Sequence, residues 1–308
     1  MKKALVIGSL NMDMTAKVEN LPKLGETIFS NEFYESCGGK GANQAVAMSK
    51  LGMTTEMIGM VGNDSQGDRL INNLIKYNVK TDNIIKSNDL TGRAIIAVDK
   101  KGNNSIIVIP GCNFKITEED IQNKIEVIAE NDIIVLQNEI PSEVVEYSLV
   151  KAKELGKTTI LNPAPARKLN DKIYKNIDYL ILNETEMEKI FDIGIHDKVY
   201  IGQIFHKKKE CNIKNIILTL GENGSVLFDE NDNVKKYDAY EVEAVDTTAA
   251  GDSFIGAFAL KICETNNPDE AIKYATATSA IVVTRQGAQD SIPSPEEIEE
   301  FIKKHPIR

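Results

Sequence analysis

The sequence predicts an α/β fold: a doubly wound, mostly parallel sheet with helices on both faces and a small antiparallel β-lid. Alternation is the first reason. Short β-rich runs at 4–8, 54–62, 132–138, 158–162, 178–182 and 215–228 are separated by helical patterns at about 41–51, 66–77, 117–130, 142–155 and 184–192. Strand, helix and strand repeated in this way build a parallel sheet buried on both faces. The second reason is a break in that rhythm. Regions 11–37 and 90–110 are β-like but mixed polar, with Gly92 to Asp99 and Ser105 to Ile109 joined through a Lys-Gly-Asn-Asn turn. They read as a lid projecting from the main layer, and its apolar face needs a bound ligand or a second subunit as cover. No repeat, low-complexity tract or Pro/Ser linker divides the chain, so one domain over 1–308 is expected.

Composition narrows the function classes. The 308 residues are 42% hydrophobic and 27% charged, which is globular and large enough for a full core. A net charge of −10 and a pI near 5.0 argue against nucleic-acid or anionic-membrane partners, since no basic block is present to neutralise phosphates. Lys207-Lys208-Lys209 reads as a solvated helix end. No apolar run approaches the ~18 residues of a spanning helix, and Ala4-Leu5-Val6-Ile7-Gly8 is a strand too short for a signal-peptide core. Cys37, Cys112, Cys211 and Cys263 lack CxxC spacing and read as reduced thiols of a cytoplasmic protein. His196, His206 and His305 are too scattered for a zinc site or a Ser–His–Asp triad.

The strand ends come next, in chain order. Gly8-Ser9-Leu10-Asn11-Met12-Asp13 closes the first strand and offers Asn11 and Asp13 as hydroxyl binders, although turn chemistry uses the same residues. Gly38-Gly39-Lys40-Gly41-Ala42-Asn43-Gln44 opens a helix; its glycines allow close backbone approach, and Lys40 and Asn43 could bond a polyol. It is neither a Walker A loop nor a dinucleotide fingerprint. Leu136-Gln137-Asn138-Glu139 and Asn162-Pro163-Ala164-Pro165-Ala166-Arg167 end two further strands. Asn183 and Glu186 share a helix face at i,i+3, a spacing suited to hydrated Mg²⁺, and a capping box explains it nearly as well. Thr219-Leu220-Gly221-Glu222-Asn223-Gly224 ends the last parallel strand, where a nucleotide could lie on backbone. Polar clusters at successive strand ends line one edge of one sheet, the usual ligand crevice of open α/β sheets.

Beyond them stands Asp246-Thr247-Thr248-Ala249-Ala250-Gly251-Asp252-Ser253-Phe254. A β-type segment, Val242 to Val245, leads into it, and a helical pattern begins at Phe254. Small residues at a helix start let a ligand approach N–H groups that lack intrahelical partners, and the helix dipole there favours phosphate. With Asp252 in the first turn, this is the equipment for phosphoryl transfer to an alcohol: one group takes the proton, the other holds the transferred charge. An ordinary acid at the start of a buried helix accounts for the same stretch equally well.

Taken jointly, the motifs resemble the ribokinase type of the PfkB carbohydrate-kinase family. GGKGANQAVAMSKLG with VGNDSQG downstream, DTTAAGDSFIGA, the pair Asn183…Glu186, and the strings NMD, NPAPAR, LNETE and VTRQGAQ occur in the family's order over essentially the whole chain. The resemblance implies a doubly wound sheet with a β-lid, ATP as phosphoryl donor, and required Mg²⁺. It implies that Asp252 is the base and that Ala249, Ala250 and Gly251 form the anion hole. It also implies a pentose held by Asn11, Asp13, Gly39, Lys40, Asn43 and Glu139. On the nucleotide side it implies Asn183, Thr219, Gly221 and Gly224, with Thr276 flanking the adenine and Glu186 organising Mg²⁺ through water. An activating K⁺ is implied beside Asp246 and Thr248 on one side and Val282, Arg285, Gly287 and Ser291 on the other. A homodimer through the lids is implied as well.

The substrate expected on this basis is D-ribose, phosphorylated at its 5-hydroxyl. Arg93 stands where a small apolar residue is expected and Cys112 where alanine is common, so 2-deoxyribose, a ketohexose or a nucleoside are alternatives within the class. A sugar-binding protein without turnover is disfavoured by the intact Asp252, and a nicotinamide-dependent dehydrogenase by the missing GxGxxG after the first strand. The helix-like stretch Asp269–Thr284, rich in small residues, is expected to pack closely against the Gly251 helix.

Overall fold

The computed structural model describes residues 2–195 and 199–305, so His196 lies outside the described residues. The main sheet has nine strands. Across it run Val234–Tyr237, Ser225–Phe228, Asn215–Thr219, Tyr179–Asn183, Thr158–Asn162, Ile133–Gln137, Lys3–Ile7, Thr54–Gly62 and Ile84–Ser87. All are parallel except the first two, which form antiparallel pairs at one edge. Alternate residues feed two separate cores. Ala4, Val6, Val135, Ile160, Ile181 and Ile217 point into one, against the helices Lys40–Lys50, Ala250–Thr265 and Pro268–Val283. Leu5, Ile7, Ile134, Leu136, Leu161 and Leu182 point into the other, against helices including Ser142–Glu154 and Glu184–Phe191. A strand with both faces covered must be apolar throughout, which is why these runs do not alternate with polar residues.

Lys3–Ile7 is first in sequence but interior in the sheet. The chain leaves it toward Thr54–Gly62 on one side and later returns to Ile133–Gln137 on the other. That reversal opens a crevice beyond the carboxyl ends of Lys3–Ile7 and Ile133–Gln137, and the expected polar strand ends surround it.

The second sheet has four strands, ordered Glu32–Gly38, Asn11–Lys17, Gly92–Val98 and Asn104–Ile109. Its outer pairings are antiparallel, as expected for the lid, while the central pair Asn11–Lys17 and Gly92–Val98 runs parallel. Both central strands are fed from carboxyl ends of the main sheet, so they leave it in the same direction. Ile95, Ile106, Ile107, Val108 and Phe33 are exposed on this sheet.

Several sequence expectations are corrected. Val242–Val245 is not a strand: the edge next to it is taken by Val234–Tyr237, and Val245 and Asp246 instead donate to Val283 O. The 117–130 pattern is two short helices, Glu118–Gln122 and Ile125–Glu130, broken at Asn123. The 215–228 run is a hairpin around a Gly221–Asn223 turn. Lys208 is not solvated; it is buried, with its ammonium 3.2 Å from Asp232. Ile84–Ser87 adds an edge strand that the sequence reading lacked.

Candidate active site

Gly39 at φ 90° starts the helix Lys40–Lys50, and a Cβ there would lie 2.7 Å from Asn11 N. That approach lays the helix start across the ends of Lys3–Ile7 and Ile133–Gln137. Glu139 becomes a hub: its carboxylate accepts from Ser9 Oγ at 2.5 Å, Lys40 N at 3.1 Å and Asn11 Nδ2 at 3.3 Å. Asn113 bonds Asn11 Oδ1 at 2.8 Å and the Leu10 backbone, so the Asn11 amide cannot rotate freely.

Asp252 is buried in the first turn of Ala250–Thr265. Two adjacent amides hold it, Asn43 Nδ2 to Oδ2 at 2.9 Å and Gln44 Nε2 to Oδ1 at 3.0 Å. Gln44 in turn accepts from Gln137 Nε2 at 2.6 Å. The two helices can bring these groups together because Gly256 packs on Lys40–Lys50; a Cβ there would sit 2.5 Å from Ala47 Cβ. Charge-assisted bonds of this kind are about twice as strong as neutral ones.

The start of that helix is bare. Ala249 sits at φ 59° without any side-chain cap. Among the described residues no backbone or side-chain group accepts from Gly251 N or Asp252 N, and the space beside Gly251 is open. Ser279 Oγ fastens the turn from behind through Ala250 O at 2.8 Å, which is the close packing expected of the 269–284 helix. A cavity of about 230 Å³ faces this turn, lined by Lys40, Asn162, Asn183, Glu186, Thr219, Thr247, Ala249, Gly251 and Asp252 among others. A larger surface hollow beside Phe191, Gln203 and His206 holds none of the expected site residues.

Electrostatics follow from crowded carboxylates. Burial, with Glu139 and Asp252 nearby, pushes Asp13 up to about 7 despite the opposing pull of Lys40. Burial works against the Lys40 charge, yet Asp252, Glu139, Glu186 and Asp13 together hold it above its ordinary value. Burial also raises Glu186. Glu186 forms a reciprocal cap with Asn183, accepting from Asn183 N at 2.9 Å and Nδ2 at 3.1 Å. The capping box read from the spacing is present, and the capping pair also lines the cavity. Each Glu186 oxygen keeps a lone pair for water, which suits a hydrated divalent cation rather than direct ligation.

The cation positions are adjacent. Asp246 accepts from Thr248 N at 2.9 Å and Gly287 N at 3.0 Å. Burial raises it, but these bonds outweigh that and hold it below the ordinary carboxylate range. Arg285 N bonds Val282 O at 3.0 Å, and its guanidinium reaches Ser291 O at 3.4 Å. An ionised carboxylate and carbonyl oxygens are the hard-oxygen donors a monovalent cation would take, although Val282 O and Ser291 O are each engaged by Arg285.

Of the remaining expected residues, Gly221 at φ 54° lies in the turn after Thr219. Gly224 is explained by its hairpin, where a Cβ would meet Tyr237 O at 1.9 Å. Thr276 is buried and donates to Ile272 O within its own helix, away from the cavity lining. Cys112 packs in the second core with its thiol pushed up to about 11 by burial, so it touches no ligand space directly. Ser9, Gln44, Gln137, Asn113 and Gln289 were given no role by the sequence reading. A buried amide such as Gln44 among Ala42, Ala45, Val46 and Ala47 was the available signal.

Known proteins share this sequence pattern and fold. The profile of the pfkB family of carbohydrate kinases matches residues 1–295. A ribokinase of Haemophilus influenzae is 37% identical over 308 residues, covering 98% of this chain and 99% of that one. A deoxyribokinase of Salmonella typhi is 36% identical over 299 residues, covering 96% and 97%. The Arabidopsis thaliana ribokinase complexed with ribose and ATP is 30% identical and superposes with a TM-score of 0.89, covering 98% of this chain and 99% of that one. With a match of this extent and motifs intact at both ends of the crevice, the chain belongs to the pfkB family of carbohydrate kinases.

Proposed function

We propose that this chain phosphorylates D-ribose at its 5-hydroxyl with ATP, giving D-ribose 5-phosphate and ADP. The observation that carries the proposal is the meeting of the Asp252 carboxylate and the uncapped amides of Gly251 and Asp252 on one cavity. Asn11, Asp13, Gly39, Lys40, Asn43 and Glu139 hold the sugar, with Glu139 and Asn11 pre-oriented by their own hydrogen bonds. Asp252 takes the proton of the 5-hydroxyl as its oxygen bonds the γ-phosphorus; the bond from that phosphorus to the bridging oxygen breaks, and ADP leaves. The open amides of Gly251 and Asp252 hold the equatorial charge, Ala250 N being already engaged by Thr247 O at 3.3 Å, and Lys40 balances the carboxylates around it. Asn183, Thr219 and Gly221 take the nucleotide side. Mg²⁺, held by Glu186 through water, supplies charge neutralisation to the phosphates. K⁺ at Asp246, Thr248, Val282, Arg285, Gly287 and Ser291 is proposed to fix the shape of the loop carrying the amides.

The exposed Ile95, Ile106, Ile107 and Val108 favour a homodimer with lid against lid, and the free thiols of Cys37, Cys112, Cys211 and Cys263 favour a reducing, cytoplasmic setting. The near-equal identity to a deoxyribokinase keeps 2-deoxyribose as the second reading. A pocket built to bond the 2-hydroxyl rejects the analogue lacking it by about 10⁴-fold. ADP release measured over ribose, 2-deoxyribose, ketohexoses and nucleosides, with and without K⁺, tests the proposal. Ribose-stimulated, Mg²⁺-dependent release that rises with K⁺ is expected; no release stimulated by any sugar overturns it.

A further inference from the structure

The amides around Asp252 have a fixed sense. An ionised carboxylate only accepts, so Asn43 must turn its NH₂ toward Asp252 Oδ2, at 2.9 Å. Its oxygen then faces away and needs a donor. Gln289 Nε2 supplies it at 2.9 Å, which leaves Gln289 Oε1 to accept from Asn73 Nδ2 at 2.5 Å. Gln289 and Asn43 are both buried. The result is a one-way chain, Asn73 to Gln289 to Asn43 to Asp252, in which reversing any amide opposes two acceptors at the next link.

Gln289 is not on the helix that carries Asn43. It lies in the loop after Pro268–Val283, pinned to the outside by Lys50 Nζ on Gln289 O at 3.1 Å and Asp290 O at 3.4 Å, and by Tyr77 bonding the Asp290 carboxylate. The segment that carries Gln289 is thus tied to the far end of the Lys40–Lys50 helix and to Tyr77, and its side chain reaches Asn43 from outside that helix.

We propose that Gln289 is a positioning residue for the transfer: by donating to Asn43 Oδ1 it anchors the far end of the Asn43 amide, and so holds in place the donor that orients Asp252. This rests on the reading of Asp252 as the base. Without Gln289 the Asn43 amide is held at one end only, and the Asp252 carboxylate it orients is free to turn away from the reacting hydroxyl.

A double-mutant cycle tests it, with Gln289→Met, Asn43→Ala and the pair compared by ribose-dependent ADP release and thermal unfolding. Gln289→Met is expected to lower kcat about tenfold, the worth of one bond to a charged group. The KM for ATP should stay near that of the unmodified chain, whereas the unfolding midpoint should fall, because Asn43 Oδ1 loses its donor. In the Asn43→Ala background the same change should cost less than about twofold, because its route to Asp252 is already gone. An unchanged kcat in Gln289→Met, or the full loss persisting in the pair, overturns the proposal. If Gln289→Met does not fold, Asn73→Ala takes its place. A loss of about threefold that disappears with Asn43→Ala supports the chain, and unmodified kcat overturns it. An unmodified protein with no sugar-stimulated turnover overturns the reading of Asp252 and this inference with it; an active one with the contrary variant results overturns the inference alone.

Discussion

Two helices begin on the same cavity and finish their first turns in opposite ways. Glu184–Phe191 is closed by its own residues, Asn183 and Glu186 each bonding the other's backbone N–H. Ala250–Thr265 is left open, with Ala249 in the left-handed region and no side-chain cap. A satisfied terminus stabilises its helix by about 1 kcal/mol. An unsatisfied one forgoes that and leaves its donors and dipole for a ligand's charge. The difference separates the work of the cavity: the capped end holds Glu186 steady, and the open end is free to bind charge that develops during reaction.

The largest expected effect comes from removing the carboxylate at the open end. Asp252→Asn should lower kcat by about three orders of magnitude while ATP still binds, as read by steady-state turnover beside nucleotide titration. Next is the backbone of the open turn itself. Ala249→Val puts a β-branched residue at φ 59° and should displace the amides, costing about a hundredfold in kcat; Ala249→Gly, at ease in that conformation, should stay close to the unmodified rate.

The capped end should answer differently. Asn183→Ala should lose about 1 kcal/mol of stability in denaturant unfolding, with a smaller fall in kcat than either change at the open end. If it instead matched Asp252→Asn in rate, the division between the two termini would be wrong. The effect with the least bearing on turnover is a slope of stability with pH on the sugar side. Asp13 is raised from 3.8 to about 7 by burial beside Glu139 and Asp252. Its contribution to stability is whole below the unfolded value and is lost as pH rises through the folded one. The midpoint advantage of Asp13→Asn over the unmodified chain should therefore grow from about pH 4 to pH 7 and level off above.

Much of the parallel sheet was readable because its strands are short, apolar and spaced by helical patterns, and those are local properties. The parallel centre of the lid was not, since pairing sense depends on where Asn11–Lys17 and Gly92–Val98 leave the main sheet. Val242–Val245 has strand composition but no free edge to join. At the site, Asp252, the small residues before it and the Asn183–Glu186 pair announce themselves by spacing. Gln44, Gln137 and Gln289 do not: their partners are 208, 93 and 246 positions away and meet them only once the sheet is wound and Gly256 lies on Ala47.

A crystal structure with ADP, aluminium fluoride, Mg²⁺ and D-ribose tests the central claim most directly. The account predicts the fluoride group within hydrogen-bond reach of the amides at Gly251 and Asp252, and the ribose 5-oxygen between it and the Asp252 carboxylate. A fluoride group held elsewhere, or a 5-oxygen out of reach of Asp252, would contradict it.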